Sequence, residues 1–288
     1  MMTLKPENRQ QERFVLDIRD TLFSSIENRL FTAQVIATGC GMLACVQHAA
    51  TLLEEIDCEL LYIVEDGTLV QPGDVVISFR GRAKNVAIAE DLVLGAMMAP
   101  SGYATRAHQI QLLAGTELKV VCGGWKKLPQ ANKPGLRAAL KAAGVGMRMV
   151  EGPFVYIDKN YVRMFGGVRK ALEAAKQFPD HKTVIQLRGE LQPIAQETKE
   201  AVSGRANVVM VDTGNLKDLD IVLQTLNDLG ARQRTKVAFA GGVKEETILL
   251  LRERQVDIGC VGAAILNAPL LDMRVDVIDS QMSQEGGG

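Results

Sequence analysis

Two glycine-bearing bends stand late in the chain, at Val237-Ala-Phe-Ala-Gly-Gly-Val243 and Val256-Asp-Ile-Gly-Cys-Val-Gly-Ala263. Each is an apolar run that ends in small residues and hands over to a helix or turn. Such runs read as buried parallel strands whose carboxyl ends expose bare backbone. Convergent N–H dipoles at a strand end or helix N-terminus attract phosphate where no side chain blocks its approach. The main-chain groups of Ala240, Gly241, Gly242, Gly262 and Ala263 are therefore the expected phosphate seat. Glycine also serves tight turns without any ligand, but two bends in succession favour the phosphate reading. Upstream, Cys122-Gly-Gly-Trp-Lys-Lys127 places Lys126 and Lys127 in a glycine-rich loop, where they could neutralise a phosphate or stay solvated. Arg148 lies between Met147 and Met149, where an unpaired guanidinium would be costly, so it calls for a carboxylate, a carbonyl or an anionic ligand. Asp212 closes the run Val208-Val-Met-Val-Asp212 and suits a metal, a ribose hydroxyl, a developing cation or a helix cap. Gln186 and Arg188 end another strand and share a face, because alternate residues do. In Asp158-Lys-Asn160 a capping residue is expected, which leaves Lys159 open as a functional amine.

These side chains need elements to hold them. The spacing of Phe14, Ile18, Leu22, Ile26 and Leu30 predicts a helix over 12–32. A glycine-interrupted strand follows over 35–46, then a helix over 47–56 and strands over 59–64 and 75–79 between turn signals. Helices are predicted over 87–98 and 103–114, separated by Pro100-Ser-Gly102. From Leu118 the rhythm changes to strands at 118–122, 145–149, 154–157, 183–187, 207–212, 235–239 and 257–261. Helices at 162–177, 191–202, 216–229 and 244–253 intervene. Strand–helix alternation implies a parallel sheet, and this many units in so short a span favour a barrel. The phosphate site of such barrels commonly follows the last two strands, where the two bends stand. The expected division is a small α/β domain over 1–116 and a barrel over 117–267, with 268–288 packing back on the first. Gly286–Gly288 reads as a frayed end.

At 288 residues, 47% hydrophobic and 23% charged, the chain has the composition of a globular protein. A formal net charge of −1 gives no bulk attraction to nucleic acid or anionic membrane, so an anion must be held by local charges. Five scattered cysteines without a Cys-x-x-Cys pair suggest neither a disulfide framework nor a zinc site. With no signal-peptide pattern and no membrane-length apolar run, a cytoplasmic setting is expected.

In order and spacing, several landmarks resemble the type II phosphoribosyltransferases typified by quinolinate phosphoribosyltransferase. They are Ala89-Glu90, Ser101-Gly-Tyr-Ala-Thr105, Pro134-Gly-Leu-Arg137, Arg148, Asn160, Val211-Asp212, Ala240-Gly-Gly242 and Val256-Asp257 through Val261-Gly262. The resemblance runs from about Phe31 to Val277. It implies an N-terminal α/β sandwich domain joined to an incomplete (β/α) barrel, assembled as a homodimer. It also implies transfer of 5-phosphoribosyl from 5-phosphoribosyl-1-pyrophosphate (PRPP), assisted by Mg2+, to a pyridine carboxylate or another heteroaromatic acceptor, with pyrophosphate release. Asp212 and Lys126 would be catalytic, with Asp212 also meeting metal. Arg148, Lys127, Lys159, Gln186, Arg188 and Trp125 would meet substrate. The chain also departs from the family pattern. Asp91 stands where the family has an arginine, Trp125 replaces the arginine before its lysine, and Met147 replaces a histidine. Asp158 replaces a lysine and Gln186 a glutamate. Trp125 and Tyr161 would then offer stacking surface in place of ionic grip. Two other readings stay open: a catalytically impaired homologue that binds a phosphorylated ligand as a regulatory or partner subunit, and a barrel lyase using Lys159 as a Schiff-base amine.

Overall fold

The computed structural model describes residues 17–282. Residues 12–16 of the expected first helix and Gly286–Gly288 lie outside them. The first half contains α1 (Ile18–Leu22), β1 (Arg29–Ala37), β2 (Gly41–Met42), α2 (Val46–Glu55), β3 (Glu59–Ile63), β4 (Leu69–Val70), β5 (Val75–Arg82) and α3 (Ala83–Ala114). Then follow β6 (Lys119–Cys122), α4 (Lys133–Ala142), β7 (Phe154–Ile157), α5 (Lys159–Phe165), α6 (Val168–Ala175), β8 (Lys182–Leu187) and α7 (Ile194–Ser203). The chain closes with β9 (Val208–Val211), α8 (Leu216–Asp228), β10 (Lys236–Phe239), α9 (Glu245–Glu253), β11 (Ile258–Val261), α10 (Ala263–Leu266) and β12 (Met273–Met282).

Four antiparallel strands in the order β12-β1-β5-β3 form the first sheet. Its buried face, with Val35, Ile77 and Phe79, packs on α2 and the first half of α3 through Leu53, Val93 and Met97. The C-terminal strand thus completes the sheet begun by the N-terminal one, pairing Val35 with Val275 and Ala37 with Met273.

Six parallel strands in the order β6-β11-β10-β9-β8-β7 form the second sheet. They are apolar almost throughout because both faces are buried. Along each strand alternate residues divide between two cores. Val209, Val211, Ile185, Leu187 and Phe239 face the surrounding helices. Val184, Val208, Met210, Ala238 and Cys260 face the interior. The end strands β6 and β7 do not pair with each other, so the barrel is incomplete.

The structure corrects four expectations. Among the described residues the expected N-terminal helix gives only a short α1 and a turn, and strand backbone begins at Arg29. The helices on either side of Pro100 are one continuous α3. A proline inside a helix loses one hydrogen bond and crowds the preceding turn, at about 3 kcal/mol. Burial of Met97, Pro100, Ala104, Ala107 and Ile110 along α3 offsets that cost. The Ser101 hydroxyl accepts from the Ala44 amide at 3.0 Å, tying the same turn to its neighbour. The strand expected over 145–149 contributes a single bridge, Gly146 to Val121. Gly144 turns into it at φ +69°, and the following residues leave the sheet at its open seam. The helix expected over 162–177 is divided into α5 and α6 by Gly166 and Gly167, both at positive φ.

Candidate active site

The carboxyl ends of the barrel strands open into a cavity of about 1000 Å³. The two late bends meet there, because β10 and β11 are adjacent and parallel, with Ala238 opposite Ile258 and Phe239 opposite Gly259. Ala240, Gly241, Gly242, Gly262 and Ala263 all line the cavity. Among the described residues the N–H groups of Gly241, Gly242 and Gly262 meet no main-chain acceptor. Gly241 adopts φ +102°, and a Cβ there would stand 2.4 Å from the Gly214 nitrogen. Glycine is therefore required both for the turn and for the close approach. The contact also locks the bend to the loop that carries Asp212, since the Gly214 amide donates to the Ala240 carbonyl at 3.1 Å. On the other flank, a Cβ on Gly123 would come within 2.4 Å of Cys260 Sγ. Small residues thus let the β6 loop close over the end of β11.

Asp212 follows β9 directly, and its carboxylate is held from below and from the side. Gln186, buried on β8, donates its amide to Asp212 Oδ2 and accepts from the Lys159 amide at 2.6 Å. Arg188 reaches the same oxygen at 3.1 Å and bonds Glu190 at 2.7 Å. Hydrogen bonds from Arg188 and then Arg163 hold the Glu190 carboxyl below its usual range. Arg188 is therefore shared between Asp212 and Glu190, and Glu190 is held in turn by Arg163. Asp212 does not cap the next helix; Asn215 does, accepting from the Lys217 amide at 3.0 Å. Asp158 caps α5, accepting from the amides of Asn160 and Tyr161 at 2.8 and 3.1 Å.

Lys126, Lys127 and Arg148 line the cavity from loops and are exposed, with no protein counter-ion among the described residues. Arg148 needed no buried partner, because its segment leaves the sheet at the seam and carries the guanidinium to the mouth. Other expected residues fall elsewhere. Lys159 starts α5 and does not line the cavity; its contact with the site is a backbone amide on Gln186. That removes the dry amine a Schiff-base lyase needs. Arg188 acts on Asp212 from outside the lining. Tyr161 is exposed on α5 and absent from the lining. Trp125 does line it, but Lys133 and Arg137 stand over its ring, 5.4 and 5.3 Å from the centroid.

Sequence reasoning missed Arg106, Lys244, Tyr156 and Met210, all in the lining. Period-two alternation in β7 and β9 carries a signal for Tyr156 and Met210. Nothing local marks Arg106, which comes from α3 in the first half of the chain and pairs with Glu245 at the start of α9. Burial pushes the Tyr156 hydroxyl far above its usual range, and Asp212 adds to the effect. Burial likewise raises the Cys260 thiol to about 12. Tyr156 and Cys260 are therefore neutral at physiological pH.

Among the described residues no group of three or more His, Cys, Asp or Glu side chains gathers to hold a metal. None of their helices is long and apolar enough to cross a membrane. The five cysteines are free.

Residues 17–101 match the family description "Quinolinate phosphoribosyl transferase, N-terminal domain". Residues 103–276 match "Quinolinate phosphoribosyl transferase, C-terminal domain". The probable nicotinate-nucleotide pyrophosphorylase [carboxylating] of Archaeoglobus fulgidus is 24% identical over 261 residues, 88% of this chain and 97% of its own. The nicotinate-nucleotide pyrophosphorylase [carboxylating] of Mycobacterium leprae is 24% identical over 286 residues, 96% of each chain. Among solved structures, the nicotinate-nucleotide pyrophosphorylase from Francisella tularensis superposes with a TM-score of 0.77 at 20% identity, covering 91% of this chain and 90% of its own. That from Pyrococcus furiosus gives 0.78 at 24% identity, covering 92% and 74%. With both halves matched in order on an N-terminal sheet domain and an incomplete barrel, the chain belongs to the quinolinate phosphoribosyl transferase family.

Proposed function

We propose that this chain transfers the 5-phosphoribosyl group of PRPP to a ring nitrogen of a heteroaromatic acceptor and releases pyrophosphate. One observation carries the reading: two open glycine bends, a fixed carboxylate and unpaired cations converge on a single cavity. The amides of Gly241, Gly242, Gly262 and Ala263 would hold the 5-phosphate, where backbone donors need no reorganisation. Displacement at C1′ builds positive charge on the ribose and negative charge on the leaving oxygen. Asp212 would stabilise the first, held in place by Gln186 and Arg188. Lys126, Lys127 and Arg148 would stabilise the second from the rim.

Mg2+ favours a few carboxylate contacts alongside substrate phosphates. Asp212 fits that demand, since Gln186 and Arg188 bond its Oδ2 and leave Oδ1 available. A bound Mg2+ would neutralise pyrophosphate as it leaves. We further propose a cytoplasmic homodimer, which light scattering of the purified protein tests.

The reading is tested by pyrophosphate release from PRPP with a panel of pyridine acids and neutral heteroaromatic bases. Asp212→Asn should lower kcat by about 100-fold or more, the scale of losing one aligned electrostatic stabiliser. Saturable PRPP binding by the unmodified protein without turnover of any acceptor would favour the impaired homologue instead.

A further inference from the structure

The charges in the cavity are sorted by depth. The strand positions that line it are neutral, among them Phe154 and Tyr156 on β7, Gln186 on β8, Met210 on β9 and Cys260 on β11. Met147 and Met149 bring two more uncharged, polarisable side chains from the seam. Tyr156 directs its hydroxyl to Met210 Sδ at 3.3 Å, so even its polar end is spent inside the wall. The cations Lys126, Lys127, Arg148 and Lys244, without an ion-pair partner among the described residues, come from loops and are exposed. Arg106 is taken by Glu245.

A phosphoribosyl donor alone brings several negative charges and would engage these rim cations. A carboxylate placed deeper would leave water for a floor without a cation and would face Asp212. Burying an unpaired charge in such surroundings is strongly unfavourable. An uncharged aromatic ring gains there, because thioether and aromatic surfaces favour it without desolvating a charge.

We infer that the acceptor is an uncharged nitrogen heteroaromatic base without carboxylates, seated on the Phe154–Tyr156–Met210 floor while the rim cations hold the donor's phosphates. The inference rests on the phosphoribosyl-transfer reading and narrows its substrate class. The lone pair of an sp2 ring nitrogen forms the C1′–N bond as the C1′–O bond to pyrophosphate breaks, and the leaving group keeps that electron pair. An azole then loses the proton on its second nitrogen to solvent; a pyridine-type ring keeps the positive charge. No C–C bond breaks, so no carbon dioxide is released.

The test supplies the protein with PRPP and Mg2+ and compares nicotinamide, benzimidazole and 5,6-dimethylbenzimidazole with nicotinate and quinolinate. Pyrophosphate, carbon dioxide and the mass of the N-riboside product are followed. At least one neutral base should be turned over with kcat/KM on the order of 100-fold above either acid, as the loss of one or two charged hydrogen bonds implies. No carbon dioxide should accompany that product. Turnover of quinolinate or nicotinate equal to or above every neutral base would overturn the acceptor class and leave the transferase reading standing. Absence of pyrophosphate with all five acceptors, while calorimetry detects PRPP binding, would overturn the transferase reading and this inference with it.

Discussion

Arg148 shows why an unpaired charge has to be located before it is interpreted. Its neighbours Met147 and Met149 suggest a buried setting, yet the guanidinium reaches solvent at the cavity mouth. Because its side chain has no hydrogen-bond or ion-pair partner among the described residues, Arg148→Ala should leave the melting temperature nearly unchanged. It should weaken PRPP binding by about 10- to 100-fold, the equivalent of ~1.5–3 kcal/mol for a charged hydrogen bond. Thermal melts and calorimetry check the two halves, and equal loss of stability and affinity would assign Arg148 to the fold. Gln186 is the opposite case, buried and bonded on both sides. Gln186→Glu would replace the amide that donates to Asp212 with a second carboxylate. Burial and the like charge would raise the folded-state pKa above the unfolded value of about 4.3. A group shifted upward contributes its stability fully below the unfolded pKa and loses it as pH rises through the folded one. The variant should thus approach the parent in melting temperature near pH 4 and fall below it near pH 8. A deficit that grew on acidification would contradict the assigned contact.

At the scale of elements, the glycine bends separate a local requirement from a tertiary one. Gly242 sits at φ +72° with open space beside its Cα, so Gly242→Ala should cost about 1–2 kcal/mol through backbone strain alone. Gly241 combines φ +102° with the Gly214 backbone, which cannot yield as a side chain would. Gly241→Ala should therefore cost about 3 kcal/mol or more and push the bend away from the Asp212 loop. Urea titration of both variants measures the difference, and equal costs would mean the two loops are not in contact. From sequence the two positions look alike, because their difference lies in a partner 27 residues away along the chain. Pro100 carries the same lesson: the residue type argues for a break, whereas the buried face of the full α3 argues for continuity and prevails.

The whole molecule depends on two strands remote in sequence, β1 and β12, meeting in one sheet. β12 covers β1 in the first sheet, although most of the chain separates them. Truncation before Met273 would expose the β1 edge as a row of unpaired backbone groups. The shortened protein should aggregate or elute as large species in size-exclusion chromatography; a well-behaved product would show the strand to be dispensable. The barrel strands were legible residue by residue, because a strand buried on both faces must be apolar and stop at a turn. The side-by-side placement of Ala240–Gly242 and Gly262 was legible too, since alternation of strand and helix forces a parallel sheet. The fates of Lys159, Arg188 and Tyr161 were not, because a residue one step past a strand can turn inward, sideways or onto the next helix. By itself the sequence determined the alternating architecture, the two glycine bends and the family resemblance, all of which follow from local pattern and order. Only the tertiary structure decided which cations stand free, how Asp212 is held and that the cavity floor is neutral. Those properties depend on distances between segments remote in sequence, and such distances exist only once the sheet has curled.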